Sequence, residues 1–135
     1  MDAQPLVLLI EPQAPQHRHA DALAKAGFRP VSVLAENLDV GRVLEQRPAV
    51  IAAELDGSAN VTLDLAKRLR QDRHTRYIPV VIYGHELRAQ DIENAARAGA
   101  LWLQIEPGDG ARLVAAVRGL VAASRNNDTP PLNDG

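Results

Sequence analysis

Three glutamates each stand at the carboxyl end of a short apolar run: Glu11 after Leu6–Ile10, Glu54 after Ala49–Ala53 and Glu106 after Leu101–Ile105. Gly84 and His85 hold the corresponding place after Ile78–Tyr83, and a proline follows two of the acids, Pro12 and Pro107. Carboxylate oxygens are the ligands that hard divalent cations prefer. Three of them at one place would leave room for weak divalent-cation binding, or for a small cationic ligand beside the side-chain-free Gly84. Crowded carboxylates also penalise one another, so the simpler outcome is that one turns to solvent or takes a proton. No cofactor is expected on this reading.

The other reactive side chains point to less. His85 reads as a solvated loop residue, although it could hydrogen-bond a carboxylate. His17 and His19 are two apart, a spacing that does not share a helix face. Together with His74 they are expected on helix surfaces or loops. Ser58 and Thr62 lack the strained G-x-S-x-G turn of a nucleophilic serine. Neither G-x-G-x-x-G nor a P-loop is present, and Gly108 and Gly110 in PGDG read as turn residues. Arg68, Arg70, Arg73 and Arg76 form the densest basic cluster, interleaved with Asp72. A solvated helix end is the plain reading, and a contact for an acidic partner the sharper one. Trp102, the sole tryptophan, is expected to pack in the core.

The elements that would position these residues alternate regularly. The apolar runs Leu6–Ile10, Pro30–Leu34, Ala49–Ala53, Ile78–Tyr83 and Leu101–Ile105 do not alternate with polar residues, as in parallel strands covered on both faces. Between them lie helical spacings: His17 to Gly27, Asn37 to Gln46 with Asn37 as candidate N-cap, Val61 to Asp72, Leu87 to Ala98 closed by Gly99, and Ala111 to Ala123. Strand and helix repeated five times predict a five-stranded parallel sheet, doubly wound, in a flavodoxin-like three-layer α/β sandwich. Ligands of such sheets bind outside the carboxyl ends of the strands, where the three glutamates stand.

The chain has 135 residues, the size of one domain, with 46% hydrophobic residues but only 3% aromatic ones. Its core must therefore be aliphatic. The domain is expected over residues 1–124, with a disordered polar tail over 125–135. A net charge of −2 gives no basic excess for nucleic acid or an anionic membrane. There is no cysteine, which removes disulfides and thiolate metal sites and fits a reducing, cytoplasmic setting. The run Leu6–Ile10 is too short for a signal core, and no stretch approaches a membrane span.

The order of four segments resembles a bacterial response-regulator receiver domain from about Leu6 to about Ala123. VLLIEP is similar to that family's first strand and acidic pair. RPAVIAAEL is similar to the strand leading to its phosphoacceptor. LAKRLRQDRHTRYIPVVIYG is similar to its third helix, loop and fourth strand, and ARAGALWLQIEP to the segment ending in its Lys-Pro. The resemblance implies the receiver fold and a role in two-component signalling. It places the Mg²⁺-holding acidic pair on Glu11 and Pro12 and the phosphoacceptor on Glu54. The switch hydroxyl falls on Gly84, the aromatic switch on Leu103 and the phosphoryl-gripping lysine on Glu106. The proline that typically follows a cis bond falls on Pro107.

Every chemically active residue type of the family is thus replaced, while the scaffold hydrophobics are kept. Phosphoryl transfer depends on positioning and on cancelling negative charge. Two unit charges about 4 Å apart interact by about 4 kcal/mol at an effective dielectric near 20, so a glutamate at the lysine position repels where attraction is needed. The expectation is a degenerate receiver that is not an enzyme and serves as a protein-interaction or homodimerisation module. Its surface would be the family's fourth helix, fifth strand and fifth helix, here Arg97, Leu101, Trp102, Leu103 and Arg112. The alternatives are a phosphorylation-competent or phosphomimic receiver using Glu54, or Asp56 with a shifted strand end, and a sensor of a cation or small ligand in the vacated pocket.

Overall fold

A computed structural model of the chain describes residues 4–11, 19–34, 37–55, 60–84, 87–106 and 109–128. The strands are β1 (Leu6–Glu11), β2 (Arg29–Leu34), β3 (Val50–Glu54), β4 (Val80–Gly84) and β5 (Leu101–Gln104). They alternate with α1 (Ala20–Lys25), α2 (Val40–Gln46), α3 (Asn60–Gln71), α4 (Ala89–Arg97) and α5 (Gly110–Asp128). All strand pairs are parallel, and the sheet order is β2-β1-β3-β4-β5. The expected doubly wound sandwich is the observed one.

Each inner strand supplies both faces, which is why its sequence does not alternate. Leu8, Ile10, Ile51, Ala53 and Ile82 meet Val43 of α2, Leu65 and Leu69 of α3 and Ala95 of α4. Val7, Leu9, Val50, Ala52, Val81 and Tyr83 face the other way, onto Leu23 of α1 and Leu113 and Val117 of α5. Most of these side chains are wholly buried. Burial of a Leu, Ile or Val contributes roughly 1.5–3 kcal/mol each, so two largely aliphatic layers carry the fold, with Phe28 and Tyr83 as aromatic members of the second.

Helix ends depart from expectation in two places. Asp39, not Asn37, caps α2, because its Oδ1 accepts from the Arg42 N–H at 2.8 Å, the reach of an N-cap to the third helical residue. Helix α5 continues through Asp128, beyond Arg125 where the tail is expected to start. Gly99 closes α4 as expected, with φ of +75°. Among the described residues, no helix is long and apolar enough to cross a membrane.

Candidate functional site

The order β2-β1-β3 places the switch point of the sheet between β1 and β3. Glu11 and Glu54 are the last residues of those two strands rather than the first residues beyond them. Register puts them in one row. Ile10 pairs with Ala53, so Glu11 stands level with Glu54. Glu54 pairs with Tyr83, and Tyr83 with Leu103. Residues in one row of a parallel sheet point to one face, here the face covered by α1 and α5, where Tyr83 is buried and Leu103 packs.

This row is more enclosed than an open phosphorylation cleft. Glu11 is 6% exposed and Tyr83 2%, while Glu54 is half-buried. Burial pushes the Tyr83 hydroxyl far above the ordinary tyrosine range, and the carboxylates of Glu54 and then Glu11 push it further. The hydroxyl therefore stays protonated across the working pH range. His19 completes the cluster, meeting the Tyr83 ring edge-on with centroids 5.3 Å apart and planes at 86°. It is 7% exposed, not on a helix surface as expected. Its spacing to the buried Leu23 is four residues, one helical turn, so the signal for an inward His19 was present and outweighed by residue type. Gly110, read as a turn residue, is the first residue of α5. A Cβ there would lie 2.9 Å from the Ala22 Cβ and 3.6 Å from His19 Nδ1, so α5 closes directly over this corner.

Gly84, at the end of β4, has close neighbours among the described residues. A Cβ at this position would stand 2.8 Å from the Leu55 carbonyl oxygen and 3.0 Å from Leu87 Cδ2. The Leu55 segment is held there because its N–H donates to the Tyr83 carbonyl at 2.8 Å. Among the described residues, Leu55 and Leu87 take the space next to Gly84.

Glu106 does not join the other two acids in a buried cluster: it is exposed just beyond β5. Water and salt screen an exposed charge, so its repulsion of an arriving anion is weakened. Among the described residues no group of three His, Asp or Glu side chains is placed to hold a metal ion. Pro12, His17, Asp56, Ser58, His85, Pro107 and Gly108 lie outside the described residues.

The edge strand carries the other candidates. Trp102 is 43% exposed and Leu101 45%, so the tryptophan is not the core residue expected. Leu103, the β5 member of the row, is half-buried. Arg112 of α5 reaches back, donating from Nη1 to the Gln104 carbonyl at 2.9 Å. Arg97 of α4 pairs with Glu93 at 2.6 Å on the exposed helix face. Arg97 belongs to α4, Leu101, Trp102 and Leu103 to β5, and Arg112 to α5.

Several solved structures share this geometry. A Vibrio cholerae chemotaxis protein, CheY4, superposes with a TM-score of 0.72 at 15% identity, over 87% of this chain and 99% of its own. A CheY-like response regulator receiver domain protein from Methanospirillum hungatei gives 0.71 at 11%, over 93% and 99%. The fold is that of receiver domains. The phosphorylated cyanobacterial phytochrome response regulator RcpA is similar over 96% of this chain and all of its own, with a TM-score of 0.66 at 19% identity. No protein-family model matches the sequence, and no curated protein matches it. Backbone geometry thus carries the likeness to receivers.

Proposed function

We propose that this chain is a degenerate receiver domain of a two-component-type signalling protein, not an enzyme, which acts by docking a protein partner or a second copy of itself. A cytoplasmic setting belongs to this reading, and nucleic acid and membrane do not. The observation that carries it is the closed corner at Gly84. Receivers read a phosphoryl group through a hydroxyl at this place. Here the position has no side chain, and the Leu55 carbonyl and the Leu87 side chain stand where a Cβ would go. Loss of a hydroxyl alone could leave a binding pocket, whereas its replacement by packing supports a fixed conformation. The exposed acid at Glu106, where a receiver needs a cation, acts in the same direction.

The docking face in this reading is α4, β5 and α5. An exposed Trp102 beside an exposed Leu101, flanked by Arg97 and Arg112, has the composition of an interface centre with a polar rim.

Acetyl phosphate with Mg²⁺ tests the reading directly. Intact mass and amide spectra are expected to stay unchanged under conditions that phosphorylate an ordinary receiver. A phosphoryl adduct on Glu54 or Asp56 overturns it. Amide shifts around Glu11 and Glu54 with Mg²⁺ alone also overturn it, in favour of a cation sensor.

A further inference from the structure

The pole of the sheet opposite Glu11 and Glu54 holds two clefts, of about 620 Å³ and about 580 Å³. They adjoin, because Tyr77, Pro79 and Ser124 line both. Arg70 and Arg76 line the first, and Arg29 and Arg47 the second. No Asp or Glu lines either one. Among the described residues none of these four arginines is in an ion pair. In a chain of net charge −2, four unpaired guanidinium groups around one pole mark a local excess of positive charge.

Three features show that this pole is ordered. Arg70 Nη1 donates to the Arg76 carbonyl at 2.9 Å, and its side chain lies along Gly99, where a Cβ would come within 2.7 Å of Nε. Arg76 sits over the Tyr77 ring, 5.0 Å from its centroid, and donates to the Tyr77 hydroxyl at 2.8 Å. The ring itself is 73% exposed. Arg47 ends α2 with φ of +49°, the single non-glycine residue of positive φ among the described residues. That helix-terminal place favours glycine or asparagine. Backbone strain kept at a cleft wall points to a use for the side chain it carries.

We propose that this pole is a docking site for an acidic peptide segment of a partner protein, one that carries apolar side chains between its carboxylates. The arginines would grip the carboxylates in forked pairs. The apolar floors, Val80 and Ala100 in one cleft and Pro5 and Leu6 in the other, would take the apolar side chains. A polynucleotide fits less well. It needs a continuous basic track and successive stacking rings, and this pole offers one ring and two bounded clefts. The site does not depend on the reading of Gly84, nor on docking through Trp102.

A fluorescein-labelled peptide of Glu-Glu-Leu repeats tests this by fluorescence anisotropy against the full chain. Binding is expected to weaken with added salt and to fall at least about tenfold in Arg47→Glu/Arg76→Glu. It is expected to fall similarly when Gln replaces Glu in the peptide. Amide shifts in the unaltered chain, which do not depend on a variant folding, are expected at Arg47, Tyr77 and Gly99. Undiminished binding by the variant, shifts centred on Arg97 and Trp102, or tighter binding of an oligothymidylate than of the peptide would each overturn the assignment.

Discussion

Restoring a hydroxyl to Gly84 is expected to harm this domain rather than repair it. In Gly84→Ser the new Cβ meets the Leu55 carbonyl oxygen at 2.8 Å and Leu87 Cδ2 at 3.0 Å. The Leu87 methyl is the end of a flexible side chain and can rotate aside. The carbonyl cannot retreat so easily, because the same residue's N–H is bonded to Tyr83 across the β3–β4 junction. Overpacking of this kind costs about 1–3 kcal/mol. Restricting the unfolded chain offsets roughly 0.4–1 kcal/mol of that. The net loss is up to about 2.6 kcal/mol and about 1.3 kcal/mol at mid-range, which lowers a urea midpoint by roughly 0.4–1.3 M at the slopes usual for small domains. Gly84→Ala should lose as much as Gly84→Ser, since the Cβ and not the hydroxyl makes the contact. Adding Leu87→Ala should relieve only the smaller share, read as a coupling energy in the double-mutant cycle. If both Gly84 variants unfold within about 0.5 kcal/mol of the parent, the corner is open, and the argument for a switch closed by packing is wrong.

Tyr83 makes a second test, in alkali. Its folded-state hydroxyl titrates far above the ordinary value near 10, so above that pH the unfolded chain releases a proton that the native chain keeps. Stability should be unaffected by this group below pH 10 and should then fall by about 1.4 kcal/mol per pH unit. The difference in urea midpoint between the parent and Tyr83→Phe, followed from pH 9 to 11, isolates that slope, and a flat difference would refute it. Glu106→Lys restores the family's charge at an exposed position. It should change stability by less than about 0.5 kcal/mol and should leave the chain inert to acetyl phosphate by intact mass, because Gly84 stays closed.

Fold was legible in this sequence because its signal is redundant. A strand covered on both faces is apolar along its length, and each of the five runs, from Leu6–Ile10 to Leu101–Ile105, came close to that, with Ser32 and Gln104 as polar exceptions on the two edge strands. Helix ends were less legible. Asn37 and Asp39 are both good caps, and choosing between them depends on which one has a free N–H three residues on, a matter of backbone geometry rather than type. Trp102 shows the limit for single residues. A large apolar side chain in a strand reads as core, yet β5 is the sheet's edge, and edge order comes from the crossovers rather than from the strand itself.

The candidate site was legible as a set of absences and illegible as a set of contacts. Glu54, Gly84 and Glu106 departed from a known pattern, and a departure can be read one residue at a time. What replaced the pattern could not, because it is made of pairs: Tyr83 with Glu54 in one row, His19 against Tyr83, and the Leu55 carbonyl against Gly84. Gly84 shows why the difference matters. From the sequence, glycine is the residue that makes space, and the natural inference is a pocket. In the folded chain, glycine is the residue that lets two neighbouring segments meet. The sign of its effect lies in the 2.8 Å between a Cβ the chain does not have and a carbonyl it does. A missing catalytic group is therefore compatible with two opposite evolved states, an emptied site and a sealed one. The approach of Leu55 and Leu87 favours the sealed state at this corner.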